Sequence, residues 1–102
     1  MNRDALETML AQGQDNALLR YTLGSLCLKE GSAVEAVKHL EEALKQDAKH
    51  SASWKSYGKA LAELGHVDDA RAAYEKGIAV AESNGDIQAA REMRVFLKRL
   101  SG

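Results

Sequence analysis

Apolar residues recur along this chain every three to four positions, the spacing that places them on one face of an α-helix. The first such segment is 3–12, where Leu6, Met9 and Leu10 share a face and Gly13 follows. A glycine just after the last apolar position is typical of a helix end. The pattern therefore predicts a short first helix.

Two pairs of longer helices are predicted next. Asp15 and Asn16 supply a capping signal before the first of these helices. Gly31 ends it, and Ser32 and Glu35 have the spacing of a capping box at the start of its partner. Val34, Val37, Leu40 and Leu44 are expected to face inward on that partner. The predicted spans are about 16–30 and 32–46 for the first pair, and about 52–64 and 68–84 for the second.

A final helix is predicted over 87–100, with Asp86 as its cap. Its apolar stripe consists of Ala90, Met93, Phe96, Leu97 and Leu100. Arg91, Arg94 and Lys98 lie on the opposite side of the same helix. One polar face suits a terminal helix that covers the end of a stack.

The middle of the chain reads as two copies of one 34-residue unit. When 17–50 is placed on 51–84, small residues fall on small ones and bulky apolar residues on bulky ones. A 34-residue period is typical of stacked helix–turn–helix repeats. The identical positions are Gly24 and Gly58, Gly31 and Gly65, Ala36 and Ala70, and Glu41 and Glu75. The predicted organisation of the single domain is a half repeat over 1–16, full repeats over 17–50 and 51–84, and a capping helix over 85–102.

Gly24 and Gly58 lie inside predicted helices, where glycine costs about 1 kcal/mol relative to alanine. Helix axes come closest where the contact residues are small, so each glycine is expected to mark a close helix contact. The expected contact residues are Ala36 and Leu40 in the first copy, and Ala70 and Tyr74 in the second.

Composition and charge exclude several classes of function. The net charge is −1 at pH 7, so no field of one sign favours nucleic acid as a partner. Cys27 is the only cysteine, which excludes an intrachain disulfide. No apolar run has the length of a signal peptide or a membrane span. These features are typical of a protein of the reducing cytoplasm with no membrane insertion.

Candidate catalytic chemistry is sparse. The three histidines are too scattered to form a metal site with one another or with Cys27. A nucleophilic cysteine needs a placed base, and none is evident beside Cys27. No glycine-rich phosphate loop is present. We therefore expect no enzyme activity, no metal and no cofactor.

The repeat positions resemble the tetratricopeptide repeat, as found in small stand-alone bacterial proteins. The second copy supplies Trp54, Tyr57, Gly58, Leu61, Ala70, Tyr74 and Gly77, and the first supplies Leu23, Gly24, Cys27, Ala36, Leu40 and Ala43. Arg20 departs from the large apolar residue of the pattern, and Ala48 and Glu82 replace its prolines. The resemblance implies an all-α fold of about six antiparallel helices in a right-handed array.

The resemblance also implies a non-enzymatic adaptor or scaffold that holds a peptide or a partner helix in a concave groove. The groove positions are Leu18, Tyr21, Ser25, Leu28 and Lys29, then Ala52, Lys55, Lys59, Ala62 and Glu63. We expect a bound segment with an apolar anchor and one or more carboxylates. The chaperone-tail clamp of this family is absent, because Tyr21, Ser25 and Lys59 replace its lysine and asparagines.

Three alternatives stay open. Lys55 and Lys59 could be ordinary solvated lysines, with Tyr21 packed on the first helix. A homo-oligomer could instead bury Leu18, Tyr21 and Leu28, or the terminal helices, against a second copy. If the groove residues are buried in this way, Tyr21→Glu would give monomers. The basic residues Arg91, Arg94 and Lys98 favour the helix dipole or could meet an acidic protein. Aromatic residues do not interleave with these charges, which disfavours nucleic acid.

Overall fold

A computed structural model describes residues 2–101 of the chain. All regular structure in that range is helical, and each helix lies within two residues of its predicted span. The helices are α1 (Arg3–Ala11), α2 (Ala17–Lys29), α3 (Ala33–Gln46), α4 (Ser51–Glu63), α5 (Val67–Asn84) and α6 (Ile87–Ser101). The all-α prediction is confirmed.

The helices stack in chain order. Helix α2 packs on α3, α3 on α4, α4 on α5 and α5 on α6, while α2 also touches α4 and α4 touches α6. No Cα of α3 lies within 8 Å of a Cα of α5. Helices α2, α4 and α6 therefore form one layer. Helices α3 and α5 both pack on α4, and their Cα atoms stay more than 8 Å from each other.

The ends of the helices follow the predicted signals in most places. Asn16 Oδ1 accepts from Leu19 N at 2.9 Å, and Asp86 Oδ1 accepts from Ala89 N at 3.2 Å. Gly31, at φ 83°, has the left-handed backbone expected where a helix stops. These local signals set the lengths of the helices and so the register of the stack.

The capping box at Ser32 and Glu35 was predicted wrongly. The Ser32 side chain makes no capping hydrogen bond. Its backbone is committed to the preceding turn, since Ser32 N donates to Cys27 O at 2.8 Å. The Ser32 ψ of 65° differs from the 166° of Asn16, and the Ser32 side chain makes no hydrogen bond to the free amides of α3.

Val34 was also expected to face inward, and it is 57% exposed. The buried stripe of α3 consists of Ala33, Ala36, Leu40, Ala43 and Leu44. At about 100° per residue, Val34 lies more than a quarter turn from the centre of that stripe. Val37 is closer to the stripe and is half-buried.

The helical glycines mark close contacts, as predicted, and the nearest side chains there are those of Leu40 and Tyr74, two of the four expected residues. A Cβ at Gly24 would lie 2.6 Å from Leu40 Cγ, and one at Gly58 would lie 2.6 Å from Tyr74 Cδ1. The alanines also expected there, Ala36 and Ala70, are buried, but they do not supply the atoms nearest to the glycines. The large side chain one turn further along thus fills the space over each glycine.

Gly77 of α5 marks a similar close contact, here with α6 and α4. A Cβ there would meet Met93 Sδ of α6 at 2.5 Å and Trp54 Cβ at 2.7 Å. Helix α6 therefore packs as the first helix of a further unit. Its register was missed because α5 has 18 residues against 14 in α3, which displaces α6 from the 34-residue period.

Arg20, the departure from the repeat pattern, belongs to a polar network between α2 and α3. Its guanidinium donates to the two Asp15 carboxylate oxygens at 2.9 and 2.8 Å. Arg20 Nη1 also lies 3.2 Å from His39 Nδ1. Gln46 Nε2 donates to Asp15 Oδ1 at 3.0 Å. Polar contacts thus replace the apolar packing that the repeat usually has at this position.

This network predicts a pH-dependent stability. Burial, and then the nearby Arg20, lower the pKa of His39 below its ordinary 6.5. The unfolded chain therefore binds this proton first. The contribution of neutral His39 is fully present above about pH 6.5 and is lost as the pH falls through the lowered pKa. We expect wild type to lose more stability than His39→Gln between about pH 7.5 and 5, measured by urea unfolding. An equal loss in both proteins would contradict the role of His39.

Candidate functional site

Helices α2 and α4 line a groove of about 440 Å³ on the face away from α3 and α5. Seven of the ten groove positions named from the sequence line it, namely Tyr21, Ser25, Leu28, Lys29, Lys55, Lys59 and Glu63. Ser56 also lines the groove and was missed, although it lies one helical turn from Lys59. The structure thus gathers the predicted residues from two separate helices.

The apolar part of the groove is tied to the core. Tyr21 and Leu28 are half-buried and pack against Cys27, Ala36 and further buried residues of the same layer. The Tyr21 ring meets the His50 ring edge-on, with centroids 4.8 Å apart. Tyr21 thus packs on His50 and on a buried cluster of α2, α3 and α4. Packing on His50 fixes the aromatic ring at the groove floor.

The lysines of α4 contact α6. Lys55 Nζ lies 3.3 Å from Glu92 Oε1, and Lys59 Nζ lies 5.9 Å from the centroid of the Phe96 ring. Lys55 is therefore more than a solvated surface lysine. These contacts were not predicted, since the register of α6 could not be read from the repeat period.

Ser25 is an unusual groove residue. Its Oγ is buried and has no hydrogen-bond partner within residues 2–101. A buried hydroxyl without a partner costs about 1–3 kcal/mol. The groove thus contains a polar group that the fold itself does not satisfy.

We expect Ser25→Ala to stabilise the protein by about 1 kcal/mol, because it removes the unpaired hydroxyl and introduces a better helix former. Urea unfolding at neutral pH measures this directly. Ser56→Ala is the control, since it makes the same chemical change on α4 at a residue with no such buried oxygen. A larger gain from Ser56→Ala than from Ser25→Ala would contradict the assignment.

Known proteins share this architecture. A family profile described as Tetratricopeptide repeat matches residues 28–93, and a second with the same description matches 3–50. The chain belongs to the tetratricopeptide repeat family. A TPR repeat-containing protein of Pseudomonas aeruginosa is 50% identical over 97 residues, covering 95% of this chain and 92% of that protein.

Solved structures of TPR relatives agree in fold. The solution structure of a Bordetella parapertussis protein is 44% identical with a TM-score of 0.87, covering 99% of this chain and 88% of that one. The crystal structure of a TPR domain protein of Salinibacter ruber is 27% identical with a TM-score of 0.80, covering 86% and 98%. TPR repeats generally mediate protein–protein interaction, and the family is typically non-enzymatic.

Two predicted surface features lie outside the TPR groove. Leu18, which is 69% exposed, lines a separate depression with Leu6 and Met9 of α1. On α6, Arg91, Arg94 and Lys98 are exposed, and Arg94 forms an ion pair with Glu82 of α5. The groove is therefore shorter than predicted at its α1 end.

Other chemistry is scarce in the described part of this TPR chain. Residues 2–101 contain no group of three or more His, Cys, Asp or Glu side chains placed to hold a metal. None of the six helices in that range is long and apolar enough to cross a membrane. Burial raises the pKa of the Cys27 thiol, whereas a reactive cysteine needs a lowered one.

Proposed function

We propose that this TPR protein is a non-enzymatic adaptor or scaffold that holds a short segment of another protein in the groove between α2 and α4. The observation that supports this most is the groove itself, in which a fixed aromatic ring lies beside lysines. Such a surface can bind an apolar side chain and a carboxylate at the same time. A cytoplasmic location is part of the same proposal.

The charges of the groove indicate which groups the bound partner segment carries. Lys29 and Lys59 have no carboxylate within ion-pair distance in residues 2–101, whereas Lys55 is already paired with Glu92. Lys29 and Lys59 are exposed, and an exposed ion pair contributes up to about 1 kcal/mol. We therefore infer that carboxylates of the segment contact Lys29 and Lys59, while an apolar anchor lies over Tyr21 and Leu28.

The size of the groove limits the affinity. A volume of about 440 Å³ is typical of a site for a few side chains. Contacts with a lone peptide are then few, and the cost of association is offset only in part. A folded partner that also touches α6 would bind more tightly than the segment alone.

Site-specific photo-cross-linking in a bacterial lysate tests the proposal. A photoreactive residue replaces Glu63 in the groove or, as the control, Glu75 on the exposed surface of α5. We expect one adduct from position 63 and none of the same mass from position 75. Equal adducts from both positions, or none from position 63, would contradict the groove as a partner site.

Charge reversal sharpens this test. Lys29→Glu with Lys59→Glu should abolish the adduct, while Lys38→Glu with Lys76→Glu should leave it intact. Both pairs make the same change in net charge, and Lys38 and Lys76 are exposed outside the groove. Light scattering on all proteins tests the homo-oligomer alternative. A wild-type dimer that Tyr21→Glu dissociates would mean that the groove holds a second copy instead.

A further inference from the structure

A second depression lies on the other side of α4 from the groove. It has a volume of about 360 Å³ and is lined by Glu41, Leu44, Lys45, Ala48, Trp54 and Tyr57. On a helix with about 100° per residue, Trp54 and Tyr57 point nearly opposite to Lys59 and Glu63. The depression lies between α3 and α4 and shares no lining residue with the proposed groove.

The polar atoms of its two aromatic residues are already satisfied. Trp54 Nε1 donates to Ala48 O at 2.8 Å, and Tyr57 Oη donates to Glu41 Oε2 at 3.0 Å. Burial, and then Glu41, raise the pKa of Tyr57 to about 12, so the phenol stays neutral. The indole and phenol rings lie 6.3 Å apart at 62°. They offer the depression their aromatic surface and no free hydrogen-bond donor.

The charges at its rim favour a cation. Lys45 Nζ is 3.1 Å from Glu42 Oε1 and is compensated by it. Glu41 has no cation within 4.0 Å in residues 2–101, and a carboxylate accepts more hydrogen bonds than the one from Tyr57. A free carboxylate oxygen thus lies beside two aromatic rings.

A guanidinium group fits these features better than an ammonium. It is planar, stacks on aromatic faces and binds carboxylates through two parallel N–H groups. One repeat earlier, the position of Trp54 is held by Arg20, whose own guanidinium binds the carboxylate of Asp15 at 2.8 Å. The depression beside Trp54 has no arginine among its lining residues.

We propose that the Trp54 depression binds an arginine side chain of a partner protein, with the guanidinium against the Trp54 ring and its N–H groups on the Glu41 carboxylate. The partner then carries an exposed arginine rather than the acidic segment expected in the groove. This inference does not depend on the proposed groove function. Two faces of α4 would engage groups of opposite charge.

NMR titration tests the inference, because Trp54 is the only tryptophan and gives a single indole N–H signal. The probes are N-acetyl-arginine methylamide and its neutral isostere N-acetyl-citrulline methylamide. We expect a saturable shift of the Trp54 signal with the arginine probe and binding about tenfold weaker with citrulline. Equal binding of the two probes, or no shift with arginine, would overturn the proposal.

Two variants localise the charge contact. Glu41→Gln should weaken the arginine probe about tenfold, while Glu75→Gln, its equivalent one repeat later on an exposed surface, should not change it. Circular dichroism confirms that both are folded. If Glu41→Gln binds as wild type does, or if N-acetyl-leucine methylamide binds as tightly as arginine, the site is an apolar pocket and the proposal fails.

Discussion

Gly58→Val is expected to destabilise the protein by about 3 kcal/mol. Even a lone Cβ at this position would lie 2.6 Å from Tyr74 Cδ1 and 2.8 Å from Tyr74 Cζ. Tyr74 is 2% exposed and its rigid ring cannot move aside. Overpacking a close-packed core typically costs about 1–3 kcal/mol, and a branched side chain at such a short separation belongs at the upper end.

Urea unfolding measures this loss. Ala72→Val is the matched control, because Ala72 is exposed on α5 and acquires the same branched side chain in a helix. The control should cost less than about 1 kcal/mol. Similar losses for Gly58→Val and Ala72→Val would mean that the close contact of α4 and α5 is not what requires glycine.

Met93→Ala is expected to cost about 3 kcal/mol. Met93 is 0% exposed and fills the space between Gly77 and Trp54. Truncating a buried methionine removes its packing and leaves a cavity, which costs about 2–5 kcal/mol. The loss should appear in a single cooperative transition, because α6 packs as an integral layer of the stack.

Val95→Ala is the control on the same helix, where the valine is 45% exposed. Its effect should stay below about 1 kcal/mol. If Met93→Ala also left the main transition unchanged, or if α6 melted in a separate step, the helix would be an appendage and not a layer of the array.

Much of the fold could be predicted from the sequence because its signals are local. Gly31 and Gly65 end helices through their own backbone freedom, and Asn16 and Asp86 cap helices that start beside them. The 34-residue period that separates Gly24 from Gly58 then indicated how the two copies stack. Each of these features depends on residues close in sequence or on exact repetition.

The wrong or missing predictions depend on geometry between elements. The Ser32 cap failed because the ψ of 65° at Ser32 sets where the first amides of α3 lie relative to its side chain, and the residue types do not reveal this angle. The Lys55–Glu92 pair and the Lys59–Phe96 contact follow from the register of α6, which the longer α5 displaces. The Trp54 depression was missed because it lies between α3 and α4, and its shape depends on how these two helices pack.

The candidate groove could be predicted in part for the same reason. Helical periodicity places Tyr21, Ser25 and Leu28 on one face of α2, so their gathering needs no knowledge of tertiary structure. Leu18 has the same periodicity but lies at the end of the helix, where α1 provides its neighbours. The unpaired Ser25 hydroxyl could not be foreseen, because burial of a single atom depends on packing.

The most direct test of groove binding is NMR mapping with the segment that photo-cross-linking identifies. The ¹⁵N-labelled protein is titrated with that segment as a synthetic peptide. The proposal predicts that the largest shifts fall on Tyr21, Ser25 and Lys59. Shifts confined to the Trp54 indole or to the exposed face of α5, with the groove signals unchanged, would contradict it.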